Sequence, residues 1–311
     1  MHAANTSSDA MAADHSPMAW GGASARRLED GTLHLQHGPI DLLIQAWSDS
    51  GNEVERAYAQ AQARFDTVLA PLVEELPTLR QPLGRIEPRL DGPVARRMVA
   101  ACWPHRAVFI TPMAAVAGAV ADEILAALVR RRTLRRASVN NGGDIALHLT
   151  EGESFTIGIA GVEDAALHGS LRVRHADPVR GVATSGWGGR SLSLGIADAV
   201  TVLAANSAAA DAAATLIANA VNVDHAAIVR RPAHEVRDDT DLGDLPVTVA
   251  VGPLPAAAID AALDNGWRVA EDMRRDGLIH AACLRLRHHV RVAGPVIDAD
   301  SGAPSLPFRM R

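Results

Sequence analysis

Residues 137–149 read ASVNNGGDIALHL, two short runs of strand-forming residues separated by a turn rich in asparagine and glycine. Two further strand-like runs, FTIGIAG at 155–161 and SLRVRH at 170–175, follow without an intervening long helix. Strands that come in neighbouring runs, with a few long helices between the runs, are typical of α+β folds. The sequence therefore predicts an α+β fold with antiparallel sheets, and it argues against a regular alternation of strands and helices.

Two long helices made mainly of small residues are predicted outside this run of strands. They are MAAVAGAVADEILAALV (113–129) and SAAADAAATLIANAV (207–221), and each is preceded by a strand and associated with a glycine-rich loop. This repetition indicates a duplicated unit. A third long helix is predicted at 52–76, where apolar residues recur at helical spacing, and a long final strand at 278–294.

We expect one compact domain of two merged halves at 28–294, preceded by a disordered leader (1–27) and followed by an extended tail (295–311). The leader lacks a basic region followed by an apolar stretch, so it is not a secretion signal. The most apolar segment, 114–128, is interrupted by Asp122 and Glu123 and is too short to span a bilayer. These features predict a cytoplasmic protein that does not bind membranes.

The charged residues exclude several classes of function. All 30 basic residues are arginine, so no lysine is available for a Schiff base, for pyridoxal phosphate or for a Walker-type phosphate loop. A net charge of -6 argues against nucleic acid as a partner, because binding phosphates requires a concentrated basic face. Cys102 and Cys283 are too few for a disulfide framework.

The turn between the first two strands is a candidate ligand site. Asn141 is followed by Gly142 and Gly143, which allow positive φ and a close approach of the backbone. Asp144 then either closes the turn through its side chain or faces a ligand. An ordinary hairpin turn would have the same sequence, so both interpretations stay open.

The segment GVATSGWGGRS (181–191) is predicted to be a glycine-broken loop that binds an anion. Its glycines, among them Gly186, free backbone N–H groups, and Thr184, Ser185 and Ser191 add hydroxyl donors. Arg190 supplies a guanidinium fork for phosphate or carboxylate. The alternative is a loop without a ligand.

The second small-residue helix carries a carboxylate among alanines. An unpaired carboxylate in such surroundings is costly, so Asp211 requires a partner. Thr215 lies four residues later and therefore shares its helix face. A carboxylate and a hydroxyl on one face suit a hard cation such as Mg²⁺. Capping of another backbone segment by Asp211 is the alternative.

Taken in order, TPMAAVAGAVADEIL, NNGGDIAL, GVATSG and SAAADAAATLIANAV resemble the motifs of the ApbE-like superfamily, in the branch known as uncharacterised protein family 0280. This superfamily is named for FAD:protein FMN transferases, Mg²⁺-dependent enzymes that move FMN from FAD onto a protein Thr or Ser. The resemblance implies a duplicated T-fold-like arrangement, in which antiparallel sheets and long packed helices form a ligand cleft.

The resemblance also implies roles for particular residues. The turn residues correspond to the transferases' glycine-Asp loop, which lines the nucleotide cleft, and residues 184–186 correspond to their A-T-S-G segment. Asp211 and Thr215 match the helix whose Asp and Thr bind the metal in the transferases. Where the transferases have a His-x-x-Asp-Pro element after A-T-S-G, this chain has SLSLGIADAV.

Two functions are consistent with these observations. The first is a Mg²⁺-assisted enzyme that acts on a flavin- or nucleotide-like phosphorylated ligand such as FAD or FMN, with transfer of FMN from FAD as one form of the reaction. The alternative is a non-catalytic or accessory protein that binds a pterin, purine or flavin ring. Because T-fold relatives commonly bind such rings between subunits, we also expect a homodimer.

Overall fold

The computed structural model describes residues 21–160 and 167–295. The first strand lies inside the predicted leader, because Ser24–Arg27 pairs antiparallel with Leu33–His37. The rest of the predicted leader, 1–20, and the predicted tail from 296 onwards lie outside the described residues.

A nine-stranded sheet forms the centre of the described part, in the order β1-β2-β3-β4-β5-β8-β9-β12-β13. All neighbouring strands in it are antiparallel. Two hairpins, β6–β7 and β10–β11, lie outside it. The strands are β1 (Ser24–Arg27), β2 (Leu33–His37), β3 (Ile40–Trp47), β4 (Arg136–Asn141), β5 (Asp144–Leu149), β6 (Ser154–Ala160), β7 (Leu167–Arg174), β8 (Gly181–Ser185), β9 (Ala199–Ala204), β10 (Ile228–Pro232), β11 (Pro246–Val251), β12 (Ala281–Leu286) and β13 (His289–Ala293).

The helices pack mainly on one face of this sheet. The small-residue helix α4 packs on β4 and β5, and α5 packs on β8 and β9, so each small-residue helix covers its own strand pair. This arrangement is the α+β fold that the sequence predicts. The helices are α1 (Gly51–Phe65), α2 (Leu69–Leu79), α3 (Pro93–Cys102), α4 (Val116–Val129), α5 (Ser207–Ala220), α6 (Ala233–Val236) and α7 (Ala256–Arg275).

The side chains of the central strands alternate between two apolar layers, as the period of two in a strand requires. Ala146 and Ala183 belong to the layer that contacts the helices. Ile145 and Val182 belong to a second layer, which the β6–β7 hairpin covers from the opposite side. The sheet therefore has a helix face and a hairpin face, and the direction of each strand side chain can be assigned by its position.

The helix α4 is apolar because it lies in the core. Pro112–Val129 has a mean hydropathy of 1.7 and is long enough to cross a membrane by length and composition. However, half of this stretch is buried inside the protein, where α4 packs against α1, α3, α5 and the sheet. Burial against these elements accounts for its composition.

Three of the predicted elements differ from those observed. The helix predicted at 52–76 is broken at Asp66–Val68 into α1 and α2. The long final strand is the hairpin β12–β13, whose turn contains Arg287 with φ 57. The first five residues of GVATSG are not loop but β8, an interior strand of the sheet.

Candidate functional site

The turn 140–144 joins β4 to β5 in a tight hairpin. Gly142 and Gly143 have φ values of 63° and 117°, which favour glycine. The Asn140 side chain accepts a hydrogen bond from the Gly143 amide at 2.8 Å. Asn141 is buried and donates to the Ala117 carbonyl at 3.0 Å, so the turn is attached to the first turn of α4.

Asp211 extends from α5 to the same end of α4. Its Oδ2 accepts a hydrogen bond from the Gly118 amide at 3.0 Å, and the Ala117 amide also interacts with the carboxylate. The first amides of a helix have no partner within it and favour a negative charge. Asp211 therefore caps α4. Capping of another backbone segment is the alternative to metal binding that the sequence left open for Asp211.

The helices α4 and α5 cap each other. Asp122 of α4 accepts hydrogen bonds from the amides of Ser207 and Ala208, at 3.0 and 2.9 Å, in the first turn of α5. Gly118 lies at the crossing, where a Cβ atom would stand only 2.7 Å from the Ala208 nitrogen. The reciprocal capping of α4 and α5 therefore depends on a close approach of the two helix backbones, which only glycine at position 118 permits.

Asp144 and Asp211 form an interacting acidic pair. Burial raises the pKa of Asp144 well above its usual value, and the neighbouring charge of Asp211 raises it further. The Thr184 backbone hydrogen bond and the Arg190 charge act in the opposite direction. Burial raises the pKa of Asp211 to about 7, against the effect of the Gly118 and Ala117 amides. Protein atoms surround both carboxyl groups densely, although each residue keeps some solvent contact.

Arg190 brings a positive charge to this pair. Its guanidinium lies over Gly142, in the space that a side chain at that position would occupy. The Arg237 side chain donates to the Arg190 carbonyl at 2.8 Å and holds this part of the loop. Arg190 and the neighbouring Ser191 are exposed, so both can contact a ligand from solvent.

The structure separates one predicted residue from the others. Thr184 pairs with Thr201, and their hydroxyl groups form a 2.9 Å hydrogen bond on the hairpin face of the sheet. Its side chain therefore points away from Asp211, although its backbone amide interacts with Asp144. Ser185 points to the helix face, and Gly186 is buried where a Cβ would meet the backbone of Asp198.

The predicted metal ligands lie on the same helix, α5. Thr215 follows Asp211 by one turn, and Asn219 follows by another and holds the loop through Ser193 and the Leu194 amide. No group of three or more His, Cys, Asp or Glu able to hold a metal occurs among the described residues. Two carboxylates and a hydroxyl still fit Mg²⁺, which commonly keeps several waters and uses one or two carboxylates.

Two surface clefts lie away from the acidic pair. One, of about 360 Å³, is lined by Asn222, Val223, Asp224 and Arg230. The other, of about 220 Å³, lies beside Asp122 and Asn206 at the start of α5. Neither of these two clefts is lined by Asp144, Asp211 or Arg190.

Sequence reasoning missed Asp122, Gly118 and Arg237 as parts of this site. Asp122 was considered only as an interruption of an apolar helix. A carboxylate inside such a helix, one turn after a glycine, was the signal that could have indicated a partner at a neighbouring helix end. Arg237 is distant in sequence, and nothing in its surroundings indicates contact with the loop at 190.

Comparison with known proteins places the chain among relatives. A family model described as "AbpE bacteria" matches residues 25–292. A UPF0280 protein of Methanothrix thermoacetophila is 37% identical over 119 residues, which cover 38% of this chain and 48% of that protein. A UPF0280 protein of Methanothermobacter thermautotrophicus is 38% identical over 122 residues, which cover 39% and 45%. The match thus spans about half the length of these two relatives.

Two solved structures are similar over most of the chain. The apo flavinyl transferase ApbE of Pseudomonas stutzeri has 15% identity and a TM-score of 0.42, covering 89% of this chain and 96% of that one. The ApbE protein of Thermotoga maritima has 13% identity and a TM-score of 0.38, covering 84% and 94%.

Proposed function

Because the chain belongs to the bacterial AbpE family, we propose that it is a Mg²⁺-assisted enzyme acting on a flavin- or nucleotide-like phosphorylated ligand. Transfer of FMN from FAD is one form that this reaction can take. The observation that carries the proposal is the acidic pair, in which Asp211 of α5 lies close enough to Asp144 of the β4–β5 turn for its charge to raise the pKa of Asp144.

Two carboxyl groups that repel each other form a site for a divalent cation. A bound cation would neutralise the repulsion between the two carboxylates, and this favours its binding. Oxygen donors are the ligands that Mg²⁺ prefers. Asp144, Asp211 and Thr215 would hold it, while the Ala117 and Gly118 amides orient the Asp211 carboxylate. When bound, Mg²⁺ neutralises charge that develops on phosphoryl oxygens.

The glycine loop would bind the phosphates of the ligand. Arg190 is exposed, lies over Gly142 and is close enough to Asp144 to affect its pKa, so it stands next to the acidic pair. Its planar guanidinium can bind two oxygens of one phosphate. Arg237 fixes the backbone of Arg190, which keeps the guanidinium near the cation ligands.

Calorimetric titration with FAD, with and without MgCl2, tests this proposal. We expect Mg²⁺ to strengthen FAD binding to the unmodified protein, and Asp211→Asn to weaken the Mg²⁺-dependent part by about tenfold or more, the size of one lost charged contact. Asp224→Asn is the matched control, because Asp224 is exposed and lies in a different cleft.

Chromatography of the reaction mixture tests turnover, since transfer of FMN from FAD releases AMP. We expect AMP to form with FAD, Mg²⁺ and a hydroxyl-bearing acceptor peptide, and not with Asp211→Asn. FAD binding that is unaffected by Mg²⁺ and by Asp211→Asn, together with no AMP release, would contradict the proposal and support a ring-binding protein instead.

A further inference from the structure

Arg285 lies on the hairpin face of the sheet, away from the acidic pair. As the second-last residue of β12, it is flanked by Ala199 of β9 and Val290 of β13. Its Nε is buried and has no hydrogen-bond partner among the residues that the structure describes. A buried N–H donor without a partner is costly, and such a donor can mark the place of an ion or ligand. Arg285 has no role in the proposed reaction.

Polar side chains occupy the neighbouring row on the same face. Cys283 stands two residues before Arg285 and pairs across the strands with Thr201, which in turn pairs with Thr184. Burial raises the pKa of the Cys283 thiol, and the Arg285 charge opposes this effect, which places the guanidinium beside the thiol. The hydroxyl groups of Thr201 and Thr184 and the guanidinium of Arg285 therefore lie on neighbouring positions of this face.

Arg285 is accessible from one side only. The β6–β7 hairpin covers the row that contains Val182, Leu203 and Ala281, one row beyond Thr201. Thr201 and Ala199 are themselves only 4% exposed. Arg285 keeps some solvent contact, and Val290 on the edge strand is 49% exposed. A small molecule can therefore reach the guanidinium from the direction of β13.

From these contacts we infer a second, separate binding site, in which Arg285 and the Thr201 hydroxyl bind an oxyanion, a phosphate or carboxylate group. The guanidinium offers parallel N–H donors that match both groups, and binding would supply the missing partner of Nε. The exposed valines of β13, Val290 and Val292, favour an oxyanion carried by a molecule with an apolar part.

The test uses the full chain with Arg190→Gln as background, in EDTA, so that neither the glycine loop nor a metal contributes to anion binding. Inorganic phosphate and acetate are titrated separately by calorimetry, and phosphate binding is followed by ³¹P NMR line width. We expect saturable binding of at least one anion, and we expect Arg285→Gln to weaken it by about tenfold or more. The stronger of the two anions identifies the ligand group.

Arg291→Gln is the matched control, because Arg291 belongs to the same hairpin but faces α7, where it pairs with Asp260 and Asp264. It should change the anion affinity by less than about twofold, as expected for a distant exposed charge. Arg285→Lys keeps the charge and should retain part of the binding.

No binding of either anion in the background protein, or equal weakening by Arg285→Gln and Arg291→Gln, would overturn the site. Both readouts are independent of FAD and Mg²⁺, so they also distinguish this site from the proposed function.

Discussion

At the scale of single residues, Asp211 makes the capping contact that the sequence offers as an alternative to metal binding. The hydrogen bond from Gly118 engages Oδ2 and caps α4. The charge of the same carboxyl group raises the pKa of the neighbouring Asp144. A carboxylate fixed by backbone amides is held in place before any ligand arrives, and such preorganisation lowers the cost of binding.

The raised pKa of Asp211 predicts how stability depends on pH without metal. The folded pKa is about 7 and the usual value is 3.8, so between these values the folded state binds more protons than the unfolded state. The contribution of Asp211 to the free energy of unfolding is therefore most favourable below pH 4, and it falls as the pH rises through 7.

Urea unfolding at pH 5 and pH 8 in EDTA measures this effect. We expect Asp211→Asn to be more stable than the unmodified protein at both pH values, and its advantage to be larger at pH 8 than at pH 5 by on the order of 2 kcal/mol. Adding MgCl2 at pH 8 should stabilise only the unmodified protein. An unchanged difference between the two proteins at both pH values would contradict the assigned shift.

At the scale of elements, the crossing of α4 and α5 depends on Gly118. A side chain there would meet the backbone of Ser207 and Ala208, which cannot move as a flexible side chain can. Alanine in a helix is favoured over glycine by about 1 kcal/mol, but overpacking of a rigid contact costs about 1–3 kcal/mol and also disturbs both caps. The steric cost prevails.

We therefore expect Gly118→Ala to lower the free energy of unfolding by about 1–3 kcal/mol in chemical denaturation. Gly84→Ala is the control, because a Cβ at Gly84 meets no atom within 4 Å; its effect should stay below about 0.5 kcal/mol. Equal effects of the two changes would show that the crossing tolerates a side chain.

The sequence predicted element types better than element boundaries. Helical periodicity continued through Asp66–Val68, so the break between α1 and α2 could not be seen. Likewise, the apolar residues of β12 and β13 read as one strand, because the turn at Arg287 contains no glycine or proline. Both breaks are imposed by tertiary packing, to which local patterns are insensitive.

At the scale of the whole molecule, the sheet is continuous from β1 to β13 and carries both small-residue helices. A division between the halves would separate β5 from β8 and α4 from α5, breaking the two carboxylate caps. The two halves therefore share their stabilising contacts.

This continuity predicts a single cooperative unfolding transition. Unfolding curves from tryptophan fluorescence and from far-UV circular dichroism should coincide, which is the behaviour of a two-state domain. Two separated transitions would show instead that the halves at β1–β5 and β8–β13 fold independently.

The sequence indicated which segments come together at the candidate site, but not the directions of their side chains. Motif order brought together the β4–β5 turn, the loop at Arg190 and Asp211, and the structure places these near one another. Motif order could not show that the Thr184 hydroxyl lies on the hairpin face. The segment predicted there as a loop is a strand, and successive side chains of a strand point to opposite faces of the sheet. Strand pairing decides that direction.

The mutual capping of α4 and α5 has a consequence for how this protein can change over generations. A side chain at position 122 or 211 that cannot accept hydrogen bonds would leave backbone amides of the other helix without their partners, whether or not a cation is bound. Selection for folding alone therefore favours a hydrogen-bond acceptor at both positions, independently of any ligand.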